Sequence, residues 1–216
     1  MMKNDNKKVL AGIILFGSLW GFSESIIGSA LKTAELPYGM LMTGVFAIPL
    51  LILSRILYRK PGAQTGIGMV AGGLSFFNPW IGCSICSAIA IAAEGMIFEI
   101  LISKTSFDLS DLNLTSKASL GITAAFCIYV GGYIVTQFLT PLTYGGFYLS
   151  NLISFIPNIL SKGLPVALIG GVTAPVALSV KKLDITIKDR VYYPTTLSVS
   201  AICWITVLTS WFLVAA

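Results

Sequence analysis

Residues 9–31 read VLAGIILFGSLWGFSESIIGSAL, twenty-three residues in which Glu24 is the one charge. As a helix rising 1.5 Å per residue, such a run covers about 34 Å, enough to cross the hydrocarbon core of a bilayer. The basic stretch before it also suits a signal peptide, but the run is longer than an ordinary signal core, and GFSESIIGSA continues it in helical register. An uncleaved first span is therefore expected. Its centre, GSLWGFSES (17–25), raises a second question, because a lipid-facing helix has no use for a carboxylate. Exposing one to lipid costs at least about 2.5 kcal/mol, so Glu24 is expected to face the bundle interior or a wet cavity.

The rest of the chain repeats the pattern. Of 216 residues, 56% are hydrophobic and 11% charged, and the mean hydropathy is +0.87. A soluble domain carries roughly 25% charged residues. Further apolar runs occupy 39–58, 63–79, 80–103, 118–140, 163–180 and 194–216. No alternating ten-residue segments of a barrel occur. The fold class expected is an all-α membrane protein, a compact single-domain bundle of six to seven transmembrane helices. A further helix over about 148–161, with Leu149, Leu152, Ile153, Phe155 and Ile156 on one face and Pro157 bending it, is expected to lie at the interface. The polar loop 104–117 has room for another short one.

Net charge +5 would suit nucleic acid, but its distribution argues for membrane topology instead. With seven spans, one side holds Lys3, Lys7, Lys8, Arg55, Arg59, Lys60, Lys104, Lys117, Lys181, Lys182, Lys188 and Arg190, which is twelve of the fourteen basic residues. Lys32 and Lys162 fall on the other. The positive-inside rule then puts the N-terminus in the cytoplasm of a multi-pass protein of the cell membrane. Without the short third span the later loops would invert, so the charge pattern itself argues for seven.

Counting down each helix from its outer end gives a common level about 10 Å deep. Glu24, Cys86, Ser87 and Tyr133 fall on it, with the glycine pairs Gly72-Gly73, Gly131-Gly132 and Gly170-Gly171. A pocket open to the outside is expected there. Trp20 is placed to stack on a ligand ring, Asn78 to reach the pocket mouth, and Glu94 to lie nearer mid-membrane. Glu99, five residues on, points about 140° away from Glu94 and suits an ion pair or a helix cap near the cytoplasmic end. Gly17, Gly21 and Ser25 form a small-residue stripe for helix packing or for docking a partner. Cys83 and Cys86 form a C-x-x-C that reads either as a metal or redox pair or as ordinary small residues. There is no histidine, which removes imidazole-based catalysis and haem ligation. Neither a nucleophile–base constellation nor a G-x-x-x-x-G-K-[ST] loop occurs, so neither an enzyme nor a bound cofactor is expected, and energy for transport must come from elsewhere.

LWGFSESIIGSAL (19–31), LPYGMLMTG (36–44), YRKPGAQTGIGMVAGG (58–73) and NPWIGCSICSAIAIAAEGMIFE (78–99) together resemble membrane proteins grouped with the substrate-binding S components of energy-coupling factor transporters. The resemblance implies a small helical bundle that captures a vitamin, a precursor or a metal ion from outside. It also implies docking on a transmembrane coupling protein driven by two cytoplasmic ATPases. That family has six helices and an Ala-x-x-x-Ala docking pattern in the first, whereas Ala11 here is followed by Leu15. The competing readings are a redox or metal protein built on Cys83 and Cys86, and a scaffold subunit docking through the Gly17 stripe.

Overall fold

The computed structural model describes residues 6–80, 83–103, 111–144, 149–179 and 189–215. They form seven helices: α1 (Asn6–Thr33), α2 (Tyr38–Tyr58), α3 (Ala63–Ser75), α4 (Ser84–Ser103), α5 (Leu114–Tyr144), α6 (Leu149–Ser179) and α7 (Asp189–Ala215). Six of them are long and apolar enough to cross a membrane. The exception is α3, whose 13 residues would rise only about 20 Å.

Glycines decide how these helices meet. A Cβ on Gly17 would stand 2.8 Å from the Ile67 carbonyl, and one on Gly21 would stand 2.7 Å from that of Ala71. The stripe of α1 is thus consumed by α3 of the same chain. Gly95 and Gly68 likewise bring α4 onto α3, and Gly121 and Gly170 bring α5 onto α6. Such close approaches let backbones gain dispersion contacts that lipid would otherwise supply.

The same contacts fix direction. Ile13 meets Gly66, Gly21 meets Leu74, and Ser29 meets Asn78, so α3 runs parallel to α1 and reaches nearly its far end. Gly95 lies against Gln64 and Ala88 against Gly72, so α4 runs back. Tyr192 meets Lys8, Trp204 meets Ser18, and Phe77 meets Trp211, so α7 again runs with α1. Short as it is, α3 with the turn that follows covers the depth between the two ends. Asn6 and Ala215 consequently sit at opposite ends of the bundle.

The 148–161 segment departs from expectation. It is no separate interfacial helix, because 149–179 is one continuous helix containing Pro157, Pro165 and Pro175. Each proline removes one backbone bond, yet in an apolar bundle no water stands ready to hydrate a broken segment, so the helix persists through all three. The expected helix in the 104–117 loop lies largely outside the described residues, as do Lys3, Lys104, Lys181, Lys182 and Lys188.

The main core joins Phe16 and Trp20 of α1, Leu51 of α2, Ile67 of α3, Phe98 of α4 and Ile128 of α5. A smaller cluster, Leu74, Cys203 and Val207, attaches α7. That helix is peripheral: only 17% of its apolar window is buried, and Leu197 and Leu213 are more than 70% exposed. Apolar surface on that scale suits lipid rather than water.

Candidate functional site

Two helices widen where the site lies. In α1, the Gly28 N–H bonds the Ser23 carbonyl five residues back, making a π-turn over Ser23–Ile27 that carries Glu24. In α2, the Ile48 N–H bonds the Thr43 carbonyl in the same way, making Met42–Ala47 a second π-turn. Side chains satisfy carbonyls in and beside these turns. Ser23 Oγ donates to the Leu19 carbonyl at 2.8 Å, and Thr173 Oγ1 of α6 donates to the Gly44 carbonyl at 2.7 Å. Single π-turns inside α-helices occur frequently at functional sites.

Between these turns and α4 and α5 lies a cavity of about 720 Å³. It falls in the 300–1,000 Å³ range of small-molecule sites. From α1 it is lined by Glu24 and Lys32, from α2 by Tyr38, Met40 and Thr43, and from the intervening turn by Leu36 and Pro37. On the opposite wall, α4 and the residue before it contribute Cys83, Cys86, Ser87 and Glu94. From α5 come Tyr129, Gly132, Tyr133 and Gln137, and Lys162 reaches in from α6. Leu36 and Tyr38 are exposed at the α1–α2 turn, so the cavity opens at the end of the bundle opposite Asn6.

The expected site residues divide. Glu24, Cys86, Glu94 and Tyr133 all line this one cavity. Trp20 does not, for its ring is fully buried. Its Nε1 donates to Glu24 Oε1 at 3.2 Å, so it aims the carboxylate rather than stacking on a ligand. Asn78 is also turned away. Its Nδ2 donates to Ser29 Oγ at 3.2 Å, and its Oδ1 accepts from the Trp80 N–H at 3.0 Å. It folds the α3–α4 turn back onto α1, which leaves no polar atom for the mouth. Of the glycine pairs, Gly132 alone borders the cavity, where a Cβ would meet Glu94 Oε1 at 2.6 Å. Gly72, Gly131, Gly170 and Gly171 pack against neighbouring helices, and Gly73 faces open space.

Gly17 and Gly21 are buried against α3, so they offer no docking face to a partner. The hydroxyl of Ser25, on the same helix, is buried without a hydrogen-bond partner. Cys83 and Cys86 are joined as a disulfide, which leaves no thiolate to ligate a metal. Among the described residues no three His, Cys, Asp or Glu side chains gather as a metal site.

Glu99 sits far from Glu94's cavity and caps α3. It accepts from the Thr65 N–H at 2.9 Å, from Thr65 Oγ1 at 2.7 Å and from the Gly62 N–H. Arg59 and Gly62, both at positive φ, turn the chain so that those N–H groups point toward α4.

Sequence reasoning assigned no site role to Lys162, Thr43 and Tyr129. One signal was present: Lys32 and Lys162 are the two basic residues that break the one-sided charge pattern, and both line the cavity. Lys32 Nζ donates to the Trp80 carbonyl at 3.1 Å, and Lys162 Nζ lies 5.9 Å from the centroid of the Tyr133 ring. Compared with known proteins, the chain matches no family model, no curated protein and no solved structure.

Proposed function

We propose that the chain is the substrate-capture subunit of an uptake transporter for a small molecule. It would sit in the cell membrane with its N-terminus cytoplasmic and the cavity opening outward. The observation that carries this reading is the cavity itself: about 720 Å³, polar at depth, and open at the end away from the N-terminus. Two intramembrane carboxylates on different helices lining one such cavity are expensive as scaffolding and suit a ligand site. Orientation rests on the basic residues Lys7, Lys8, Arg55, Arg59, Lys60 and Arg190, which belong to the Asn6 end. With no nucleotide-binding loop of its own, the chain would draw energy from a coupling protein and its ATPases. The docking face must then be other than the buried Gly17–Gly21 stripe.

Native mass spectrometry of the detergent-purified protein tests the proposal. A small molecule retained by the wild type is expected to be lost in Glu24→Gln, with the variant still folded and monodisperse. A wild type that retains nothing and an uptake assay indifferent to the chain would refute it. Reporter fusions at the two ends test orientation, and an N-terminus found outside would overturn the outward-opening cavity.

A second reading has one observation in its favour. The Cys83–Cys86 disulfide lines the same cavity, where a membrane thiol–disulfide carrier would keep it. A Cys83→Ser/Cys86→Ser protein that still binds and imports its molecule would dismiss that reading.

A further inference from the structure

The cavity is lined by two carboxyl and two amine side chains, Glu24, Glu94, Lys32 and Lys162. Glu24 and Glu94 line it from α1 and α4, and Lys32 and Lys162 from the end of α1 and from α6. Lys32 stands at the α3–α4 turn, bonded to the Trp80 carbonyl, and Lys162 beside the Tyr133 ring. Glu24 receives the Trp20 indole, and Glu94 Oε2 is buried with no hydrogen-bond partner. No ion pair joins either carboxylate to either lysine among the described residues. Along α1, Glu24 and Lys32 are eight residues apart, a rise of about 10–12 Å given the π-turn between them. Carboxyl and amine side chains that line one cavity without pairing with each other leave their hydrogen-bonding and charge complement to a ligand.

We propose that the cavity takes a dipolar ligand, its cationic group held between Glu24 and Glu94 and its carboxylate or phosphate held by Lys32 and Lys162. The body between the ends is flat and apolar, lying along Tyr38, Tyr129 and Tyr133. These rings line the same cavity as the four ionisable side chains, and aromatic faces accept both flat rings and the methylene groups beside an ammonium. This inference rests on the capture reading and adds to it the substrate class. A uniformly anionic ligand would face the two carboxylates. A uniformly cationic one would face the two ammonium groups. Only a molecule with both charges meets opposite charge at each end.

Three probes with the same ring and different ends test this on the full-length protein in detergent: 4-(aminomethyl)benzoate, p-xylylenediamine and terephthalate. The mixed-charge probe is expected to bind about tenfold more tightly than either of the others. Glu94→Gln, nearly the same shape, is expected to weaken the mixed probe and the diamine by about tenfold while leaving terephthalate no weaker. Lys162→Gln is expected to weaken the mixed probe and terephthalate while sparing the diamine. Equal or tighter binding of the diamine or of terephthalate overturns the proposal, and so does binding of none of the three. The molecule retained in native mass spectrometry separates the two levels. One carrying charge of a single sign overturns the dipolar inference and leaves capture standing, whereas absence of any retained or bound molecule removes both.

Discussion

Gly72 and Gly73 are adjacent in α3, yet alanine at the two positions is expected to have opposite effects. A Cβ on Gly72 would lie 2.3 Å from the Ala88 carbonyl oxygen and 3.2 Å from its carbon. Ordinary contact begins at 3.4 Å, so the shortfall is 3.4 − 2.3 = 1.1 Å against the backbone of α4. That oxygen is fixed within α4 and cannot rotate aside, so the helices must separate. Separation also unloads the Gly68–Gly95 contact one turn away, where a Cβ on Gly95 would come within 2.9 Å of the Gly68 Cα. Overpacking of this kind costs about 1–3 kcal/mol, partly offset by about 0.5–1 kcal/mol of helix propensity gained by alanine. The net expectation is a loss of about 1.5 kcal/mol for Gly72→Ala. Gly73 has nothing within 4 Å of its Cβ position, so Gly73→Ala keeps the propensity gain alone. Unfolding in mixed micelles by SDS titration, followed by tryptophan fluorescence, reads the difference directly. Equal stability of the two variants, or the reverse order, would refute the packing of α3 on α4.

Gly132→Ala places its methyl against the flexible end of Glu94, so its SDS midpoint is expected within about 1 kcal/mol of wild type. Its retention of the bound molecule should nevertheless fall. Glu99→Ala removes the acceptor of two N–H groups and a hydroxyl at the start of α3; a loss of about 1–2 kcal/mol is expected in the same titration. Tyr192 Oη donates to the Lys8 carbonyl at 3.0 Å, so the 2.7 Å contact between Tyr58 Oη and Tyr192 Oη has Tyr58 as donor. Tyr192→Phe breaks both bonds and Tyr58→Phe only one, so Tyr192→Phe is expected to cost more, by about 1 kcal/mol; equal losses would contradict the relay.

The six long apolar helices were legible because length and hydropathy are local properties, whereas the expected third span, 63–79, is only the 13-residue helix α3. A run such as residues 9–31 needs no knowledge of its neighbours to be assigned to lipid. Glu24, Cys86 and Tyr133, which a fixed rise per residue puts at one level, line one cavity, and Glu94, expected further in, lines it too. Glu99's angle to Glu94 separated the two carboxylates, and of the ion pair and helix cap expected for Glu99 the structure shows a cap on α3.

Azimuth and partnership were not legible. Whether Trp20 faces a ligand or a core depends on what stands across from it, and α2 to α5 fill that side with apolar residues. In a straight α-helix, Gly21 and Ser29 would sit about 80° apart round the axis. The π-turn between them absorbs that drift, so Gly21 packs on α3 while Ser29 meets Asn78 just beyond it. No helical projection of the sequence contains that turn. Proline positions in α6 misled for a related reason, because whether a proline ends a helix depends on what solvent or protein surrounds it. The sequence by itself determined which segments form helices long and apolar enough to cross a membrane, and which of those runs carry ionisable side chains. Tertiary structure decided which of those charges share a cavity, because helices separated by tens of residues must first find their glycine seams.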